Sequence, residues 1–142
     1  MFNKKKKNKY DFYLAGPMRG YVNLNKDVFT LAARILRSKG FTVWSPSEHA
    51  DYIHFSFAEC MSLDLNNVIN NCRKIVFLSG WKKSVGANIE ALVAFACNKE
   101  AFEIIFDKEK LDIELIQLDL SDYYLPYGYG YGHGIKAFNP HL

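Results

Sequence analysis

The residues best suited to chemistry lie in one polar segment, residues 80–90, which contains Ser84, Gly86, Ala87 and Glu90. The segment follows an apolar run typical of a buried strand and leads into a predicted helix, so it lies at a strand's carboxyl end. Ser84 and the small pair Gly86-Ala87 allow backbone N–H groups to bind an anion at the helix N-terminus. Glu90, about one turn further along, directs a carboxylate toward the group that carries the anion. A phosphate-binding site about one helical turn from a carboxylate indicates chemistry on a nucleotide.

A second candidate site follows the first predicted strand, at the break Gly16-Pro17-Met18-Arg19-Gly20. A glycine directly after a buried strand lets the backbone approach a ligand closely. The planar guanidinium of Arg19 can bind a phosphate or a carboxylate. The same residues also fit an ordinary strand-to-helix turn with an exposed arginine, and their spacing does not decide between the two interpretations.

Asp64 interrupts the apolar stripe of a helix predicted at about residues 57–70. It lies near the edge of that stripe, where a carboxylate can face a cleft, although a solvated aspartate is the more ordinary alternative. Glu90 has an alternative of its own. A carboxylate in the first turn of a helix is favoured by the helix dipole, so simple capping also explains its position.

The elements that must position these residues alternate between strand and helix, which is the pattern of an α/β domain. Predicted strands cover residues 11–15, 41–44, 74–78 and 102–106. Predicted helices run from a cap at Asn23 or Asn25 to a C-terminal Gly40, over residues 57–70, and over about 88–98. Residues 111–118 fit either a short helix or a last strand.

The composition is that of an ordinary globular chain of 142 residues, with 49% hydrophobic and 23% charged residues. Five lysines in the first ten residues account for more than the formal charge of +3, and the rest of the chain carries −2. We therefore expect a solvated lysine-rich tail at 1–10, one domain at 11–120 and a tyrosine- and glycine-rich arm at 121–142. The arm is expected to be irregular and to pack on its own domain or on a partner subunit, with disorder as the alternative.

Cysteine and histidine offer no separate site. Cys60, Cys72 and Cys97 form no C-x-x-C pair, and the four histidines show no spacing typical of zinc ligands. We expect reduced structural thiols, no metal and no cofactor. The sequence contains neither an apolar span of 18 residues nor the apolar core of a signal peptide, so we expect a cytoplasmic protein without a membrane partner. A body without net positive charge also argues against a nucleic-acid partner.

Taken in order, these segments resemble the nucleoside 2-deoxyribosyltransferase-like superfamily, and most closely its small bacterial and phage branch. The matching residues are Tyr13-Leu14-Ala15-Gly16-Pro17-Met18-Arg19-Gly20, Asn25 with Phe29, Gly40 with Val43 and Ser45-Pro46, Asp64-Leu65, and Gly80-Trp81 through Glu90. They cover roughly residues 11 to 106. The resemblance implies a flavodoxin-like, or Rossmann-like, three-layer α/β sandwich with a parallel sheet of four to five strands.

The resemblance also implies roles for individual residues. Glu90 corresponds to the nucleophile that attacks C1′ of the sugar, and Asp64 to an aspartate near the sugar and base. Ser84, Gly86 and Ala87 correspond to the phosphate site. The resemblance also places the first glycine-rich turn, Gly16 to Arg19, against the ligand, and we count Asn25 and Trp81 among its binding residues. Tyr13 either hydrogen-bonds near Glu90 or faces the core.

We therefore expect hydrolysis of the N-glycosidic bond of a nucleoside 5′-monophosphate, which releases the free base. The alternatives are base exchange by a deoxyribosyltransferase, a nucleotide-binding module without turnover, and an architectural protein that assembles through its aromatic arm. The resemblance and the aromatic arm both indicate a homodimer or a higher homo-oligomer.

Overall fold

A computed structural model of the chain describes residues 8–49, 54–127 and 134–138, with side chains up to Tyr124. Most of the predicted lysine-rich tail, residues 1–7, lies outside the described residues. So do residues 50–53 of the loop after the second strand and residues 128–133 and 139–142 of the C-terminal arm.

The domain is α/β, with a mixed sheet of five strands in the order β2-β1-β3-β4-β5. The strands are β1 (Tyr10–Ala15), β2 (Val43–Trp44), β3 (Cys72–Phe77), β4 (Glu100–Asp107) and β5 (Asp112–Leu118). The first four are mutually parallel, whereas β5 runs antiparallel to β4. The expectation of a parallel sheet is therefore wrong for β5. Only residues 108–111 connect the two strands, and so short a connection makes a hairpin because a parallel crossover needs a dozen residues or more.

Three α-helices connect the parallel strands in the described part of the chain: α1 (Lys26–Ser38), α2 (Phe57–Asn70) and α3 (Val85–Ala96). The bounds of α2 are those predicted, and a capping box between Ser56 and Glu59 fixes its start. Helix α3 begins three residues earlier than predicted, because Ser84 caps it by accepting a hydrogen bond from the N–H of Ala87. None of the helices in the described part of the chain is long and apolar enough to cross a membrane.

The helices pack on both faces of the sheet and so form two layers, one on each side of it. On β1, Phe12 and Leu14 face one way and pack with α1, while Tyr13 and Ala15 face the other way and pack with α2 and α3. The strands β1 and β3 therefore form the centre of the core. Their carboxyl ends are held rigidly from both sides.

The C-terminal arm begins as part of the core. Tyr123 packs edge-on against Trp81, with ring centroids 5.4 Å apart, and the buried Tyr124 lies beside Phe95. Residues Tyr124–Tyr127 (β6) then pair antiparallel with Gly134–Phe138 (β7). The arm thus packs on its own domain as one alternative foresaw, but where it is described it is a hairpin rather than an irregular segment.

Gly16, directly after β1, lies close against Leu78, directly after β3. A Cβ atom added at Gly16 lies 2.8 Å from Cβ of Leu78, a separation that real side chains do not adopt. We expect Gly16→Ala to lower the free energy of unfolding by about 1–3 kcal/mol through overpacking. Chemical denaturation measures this change.

Gly86→Ala is the matched control, because the nearest atom to its added Cβ is the flexible Met61 sulfur at 3.6 Å. Within the first turn of α3 this exchange is expected to be neutral or slightly stabilising. Equal stability of the two variants contradicts a special role for Gly16 in packing.

Candidate active site

A cavity of about 470 Å³ opens at the carboxyl ends of β1 and β3, between the first turns of α2 and α3. This edge is where open α/β sheets bind their ligands. Nine residues that the sequence singled out line it: Gly16, Pro17, Met18, Arg19, Asp64, Ser84, Gly86, Ala87 and Glu90. Segments separated by up to 74 positions in the chain therefore meet in one site.

Two carboxyl groups lie at the inner end of the cavity. Asp64 of α2 is 4% exposed and Glu90 of α3 is 5% exposed. Burial raises the pKa of Glu90 well above its ordinary value, and the neighbouring Asp64 carboxylate raises it further. Two carboxyls in such surroundings do not both ionise readily, so the pair favours a state in which it holds one proton.

The Tyr13 hydroxyl donates a hydrogen bond to Oε2 of Glu90. This bond favours the ionised form of Glu90 and partly opposes the effect of burial on its pKa. The Tyr13 side chain is itself fully buried and stacks on Trp44, with ring centroids 5.2 Å apart. Tyr13 therefore fulfils both alternatives left open by the sequence, because its ring belongs to the core and its hydroxyl reaches the site.

The N-terminus of α3 forms the opposite end of the cavity. Ser84 uses its hydroxyl oxygen to accept from the Ala87 N–H at 3.2 Å. The N–H groups of Val85 and Gly86, in the first turn, have no acceptor within the helix. Because α3 begins at Val85 and has no acidic residue in its first turn, Glu90 is not a capping residue, and that alternative is wrong.

Two cationic side chains join this end of the cavity. Lys83 directly precedes the cap, and the Arg19 guanidinium lies over the Phe57 ring, 5.5 Å from its centroid. Together with the α3 dipole they create a positive region suited to an anion. Gly86 and Glu90 are four positions apart on one helix face, so their backbone positions are separated by about one turn, or about 5.4 Å along the helix axis.

The turn after β1 is held by Asn25, whose side-chain amide donates to the carbonyl oxygen of Pro17 at 2.9 Å. Asn25 occupies the N-cap position of α1 but makes no capping bond there. Asn23, Leu24 and Asn25 all have φ values between 52° and 60°, which is the left-handed region. This conformation costs about 1–2 kcal/mol per residue, so other contacts must maintain it. Leu24 itself lines the cavity.

Three residues predicted for the site do not line the cavity. The Tyr13 hydroxyl bonds to Glu90, and the Asn25 side chain bonds to the carbonyl oxygen of Pro17. Trp81 is 1% exposed and stacks on Phe77, with ring centroids 4.3 Å apart. The structure thus places Trp81 in the core beneath the site rather than in contact with a ligand.

Sequence reasoning missed half of the cavity wall. The missed residues are Tyr21, Leu24, Pro46, Phe55, Phe57, Cys60, Met61, Lys83 and Val85. Most are apolar side chains whose spacing matches that of core residues, so nothing in the sequence marks them as exposed to a cavity. Lys83 carried a usable signal, because it directly precedes the predicted anion-binding serine.

A family model described as Domain of unknown function (DUF4406) matches residues 10–103. The chain belongs to the DUF4406 family. The matched region of this DUF4406 chain runs from the start of β1 into β4 and includes every residue that lines the cavity. No curated protein matches the chain. The family description names no activity, so a function for this DUF4406 domain must be argued from the geometry of its site.

The raised pKa of Glu90 makes stability depend on pH. Between the ordinary value of 4.5 and the raised value, the folded protein keeps a proton that the unfolded chain has released. Stability therefore falls as pH rises through this window. Glu90→Gln has no carboxyl group to titrate and therefore lacks this loss. As pH rises through the window, we expect its free energy of unfolding to increase relative to that of the wild type. The increase is about 1.4 kcal/mol for each pH unit between the folded and the unfolded pKa of Glu90.

Chemical denaturation at several pH values between about pH 4 and about pH 8 measures the effect, because linear extrapolation gives the free energy of unfolding at each pH. Glu114→Gln, on an exposed position of β5, controls for the loss of a carboxylate as such. A difference between Glu90→Gln and the wild type that is the same at every pH contradicts the burial of an ionisable Glu90.

Proposed function

We propose that this DUF4406 chain hydrolyses the N-glycosidic bond of a ribo- or deoxyribonucleoside 5′-monophosphate. The products are the free base and the sugar 5-phosphate. One observation carries the proposal: a single cavity holds a buried carboxyl pair at one end and a cationic helix N-terminus one turn away. A nucleoside monophosphate has the matching arrangement, with an anion on one side of the sugar and the glycosidic bond on the other.

In the proposed reaction Glu90 is the nucleophile. Its carboxylate attacks C1′ as the bond to the base breaks, which forms a glycosyl ester and spreads positive charge over the sugar in the transition state. Water then attacks the ester carbon C1′, and the Glu90 carboxylate leaves. Two displacements at the same carbon retain its configuration. Tyr13 holds the Glu90 carboxylate in place throughout.

Asp64 is the proposed partner of Glu90. A leaving base needs a proton, and a carboxyl pair that shares one proton can supply an acid and a nucleophile together. The reactive form has the proton on Asp64 and the charge on Glu90. After the base leaves, the Asp64 carboxylate can accept a proton from the attacking water. An alternative role, orienting a sugar hydroxyl, uses the same position.

The positive end of the cavity is the proposed 5′-phosphate site. The N–H groups at the start of α3, the Ser84 hydroxyl as donor, Lys83 and Arg19 supply the donors and charge that a phosphate requires. Binding energy from the phosphate fixes C1′ against Glu90, so a group remote from the reacting bond contributes to the rate.

The fold supports placing the chain in the nucleoside 2-deoxyribosyltransferase-like superfamily. The strand order 2-1-3-4-5 is that of flavodoxin-like sheets, whose ligands bind beside β1 and β3. The cavity lies at this position. We also retain the proposal that the protein works as a homodimer or a higher homo-oligomer, as members of that superfamily do.

Chromatography of reactions with a panel of 5′-monophosphates and the matching nucleosides tests the proposal. We expect free base to appear from a monophosphate in water. Base release that requires a second, acceptor base assigns the protein as a transferase. Binding without any release assigns it as a nucleotide-binding module.

Substitutions at the carboxyl pair test the mechanism. We expect Glu90→Ala to lower kcat more than about a thousandfold because it removes the nucleophile, and Asp64→Asn to lower it by about 10²–10⁴ because it removes proton transfer. The control Glu114→Gln should retain full activity. Turnover by Glu90→Ala at the wild-type rate excludes Glu90 from the reaction.

Substitutions at the positive end test the phosphate site. We expect Arg19→Ala and Lys83→Ala each to raise KM for the monophosphate by about three- to tenfold, the modest effect of a largely exposed charge. The matching nucleoside should show no such change. Lys108→Ala, in the exposed turn between β4 and β5, is the control. Equal effects on both substrates argue against phosphate binding at this end.

A further inference from the structure

The side chain of Asn88 binds the segment that leads into α3. Its amide nitrogen Nδ2 lies 2.8 Å from the carbonyl oxygens of Lys82 and Ser84 and 3.4 Å from that of Trp81. An amide group has two N–H donors, so the longest of the three contacts is a shared one. The fourth residue of α3 therefore ties down the turn that carries the anion-binding end of the cavity.

One of these bonds reinforces the direction of a backbone amide at the start of α3. In a trans peptide the C=O and the N–H point in opposite directions. The Ser84 carbonyl accepts from the backbone N–H of Asn88 at 3.0 Å as well as from its side chain, so the N–H of Val85 in the same peptide unit points away from Asn88. Val85 and Gly86 line the cavity, and their N–H groups have no acceptor within the helix. The Asn88 side chain thus reinforces the direction of the Val85 N–H and holds the turn that carries Lys83 and Ser84 against the start of α3.

Asn88 is an unfavourable choice for packing alone. Its Oδ1 atom is buried and has no hydrogen-bond partner among the described residues. A buried acceptor without a partner destabilises a fold, so its presence requires an explanation. The donors on the same amide provide one. The Trp81 and Ser84 carbonyl oxygens also accept backbone N–H groups, but the side chain supplies the bond that joins the Lys82 carbonyl to α3.

The C-terminal arm supports the same residue from the other side. The Tyr124 hydroxyl donates to the carbonyl oxygen of Asn88 at 3.1 Å. Burial raises the pKa of Tyr124 to about 12, so its hydroxyl keeps its proton at neutral pH and remains a donor. The start of α3 is therefore held between the turn before it and the arm that packs on it.

We propose that Asn88 is a positioning residue, whose side chain holds the turn that carries Lys83 and Ser84 in the position at which the start of α3 binds the 5′-phosphate of the substrate. The inference depends on the proposed function for the identity of the ligand. Its geometric basis, the position of the turn that carries Lys83 and Ser84, applies to inorganic phosphate as well. Asn88 does not contact the reacting atoms, so its removal should weaken phosphate binding more than it slows the chemical step.

Asn88→Ala tests the proposal by separating KM from kcat. We expect KM for the 5′-monophosphate to rise at least about tenfold while kcat changes by less than about threefold. The matching nucleoside, which lacks the phosphate, should show little change. Asn70→Ala is the matched control, because it removes an asparagine side-chain bond of 2.8 Å, to Asn66, on an exposed turn that does not line the cavity. An unchanged KM in Asn88→Ala overturns the proposal.

Calorimetry with inorganic phosphate separates this proposal from the proposed reaction. If the wild type releases no base but binds phosphate, and Asn88→Ala binds it at least about tenfold more weakly, the reaction fails and the positioning role stands. If the wild type binds neither phosphate nor a 5′-monophosphate, the positioning role fails too. If Asn88→Ala does not fold, Asn88→Ser takes its place, because serine keeps one donor at this position. We expect this variant to bind phosphate more weakly than the wild type, by less than about tenfold. Wild-type affinity for phosphate in Asn88→Ser overturns the proposal.

Discussion

The structure depends on the burial of Glu90 against Tyr13 and Asp64. Each of the three residues comes from a different element, β1, α2 or α3, and the three meet only where the sheet and two helices pack together. Removing a carboxylate from water costs several kcal/mol unless hydrogen bonds and protonation offset it. The surrounding core must therefore be rigid enough to hold these partners in place. Stacking of Tyr13 on Trp44 and of Trp81 on Phe77 supplies that rigidity beneath the site.

Close packing of β1 against β3 brings the two loops of the cavity together. Gly16 leaves no room for a side chain beside Leu78, so the turn after β1 lies directly against the chain that leaves β3. Asn25 then draws the far end of that turn back toward Pro17, in a backbone conformation that only such contacts maintain. The Asn88 side chain likewise bonds to the turn before α3, at the carbonyl oxygens of Lys82 and Ser84. Both loops of the site are thus fixed by an asparagine side chain that bonds to backbone carbonyls rather than to a ligand.

Local signals in the sequence predicted the helices, the strands of the core and the polar residues of the site. Helix α2 was predicted to its ends because its capping box and its apolar spacing agree. The start of α3 was missed because Ser84 was interpreted as a ligand residue and not also as a cap. The direction of β5 follows from the short connection of residues 108–111, but residues 111–118 had first to be recognised as a strand. The apolar half of the cavity wall depends on tertiary contacts. Phe57 and Met61 have the same spacing whether they face a core or a cavity, so periodicity cannot distinguish the two.

The electrostatics of the carboxyl pair favour a reaction in which positive charge develops. Asp64 raises the pKa of Glu90, which means that the two groups repel each other when both are ionised. The pair therefore favours a state with one shared proton and a single negative charge, which a neutral ligand does not offset. A sugar that becomes positively charged at C1′ does offset it, so the pair stabilises such a transition state more than the ground state that precedes it. The cationic end of the cavity has the opposite property, since a phosphate is charged before, during and after the reaction. One end of the site therefore contributes to binding in every state, and the other contributes selectively to the chemical step.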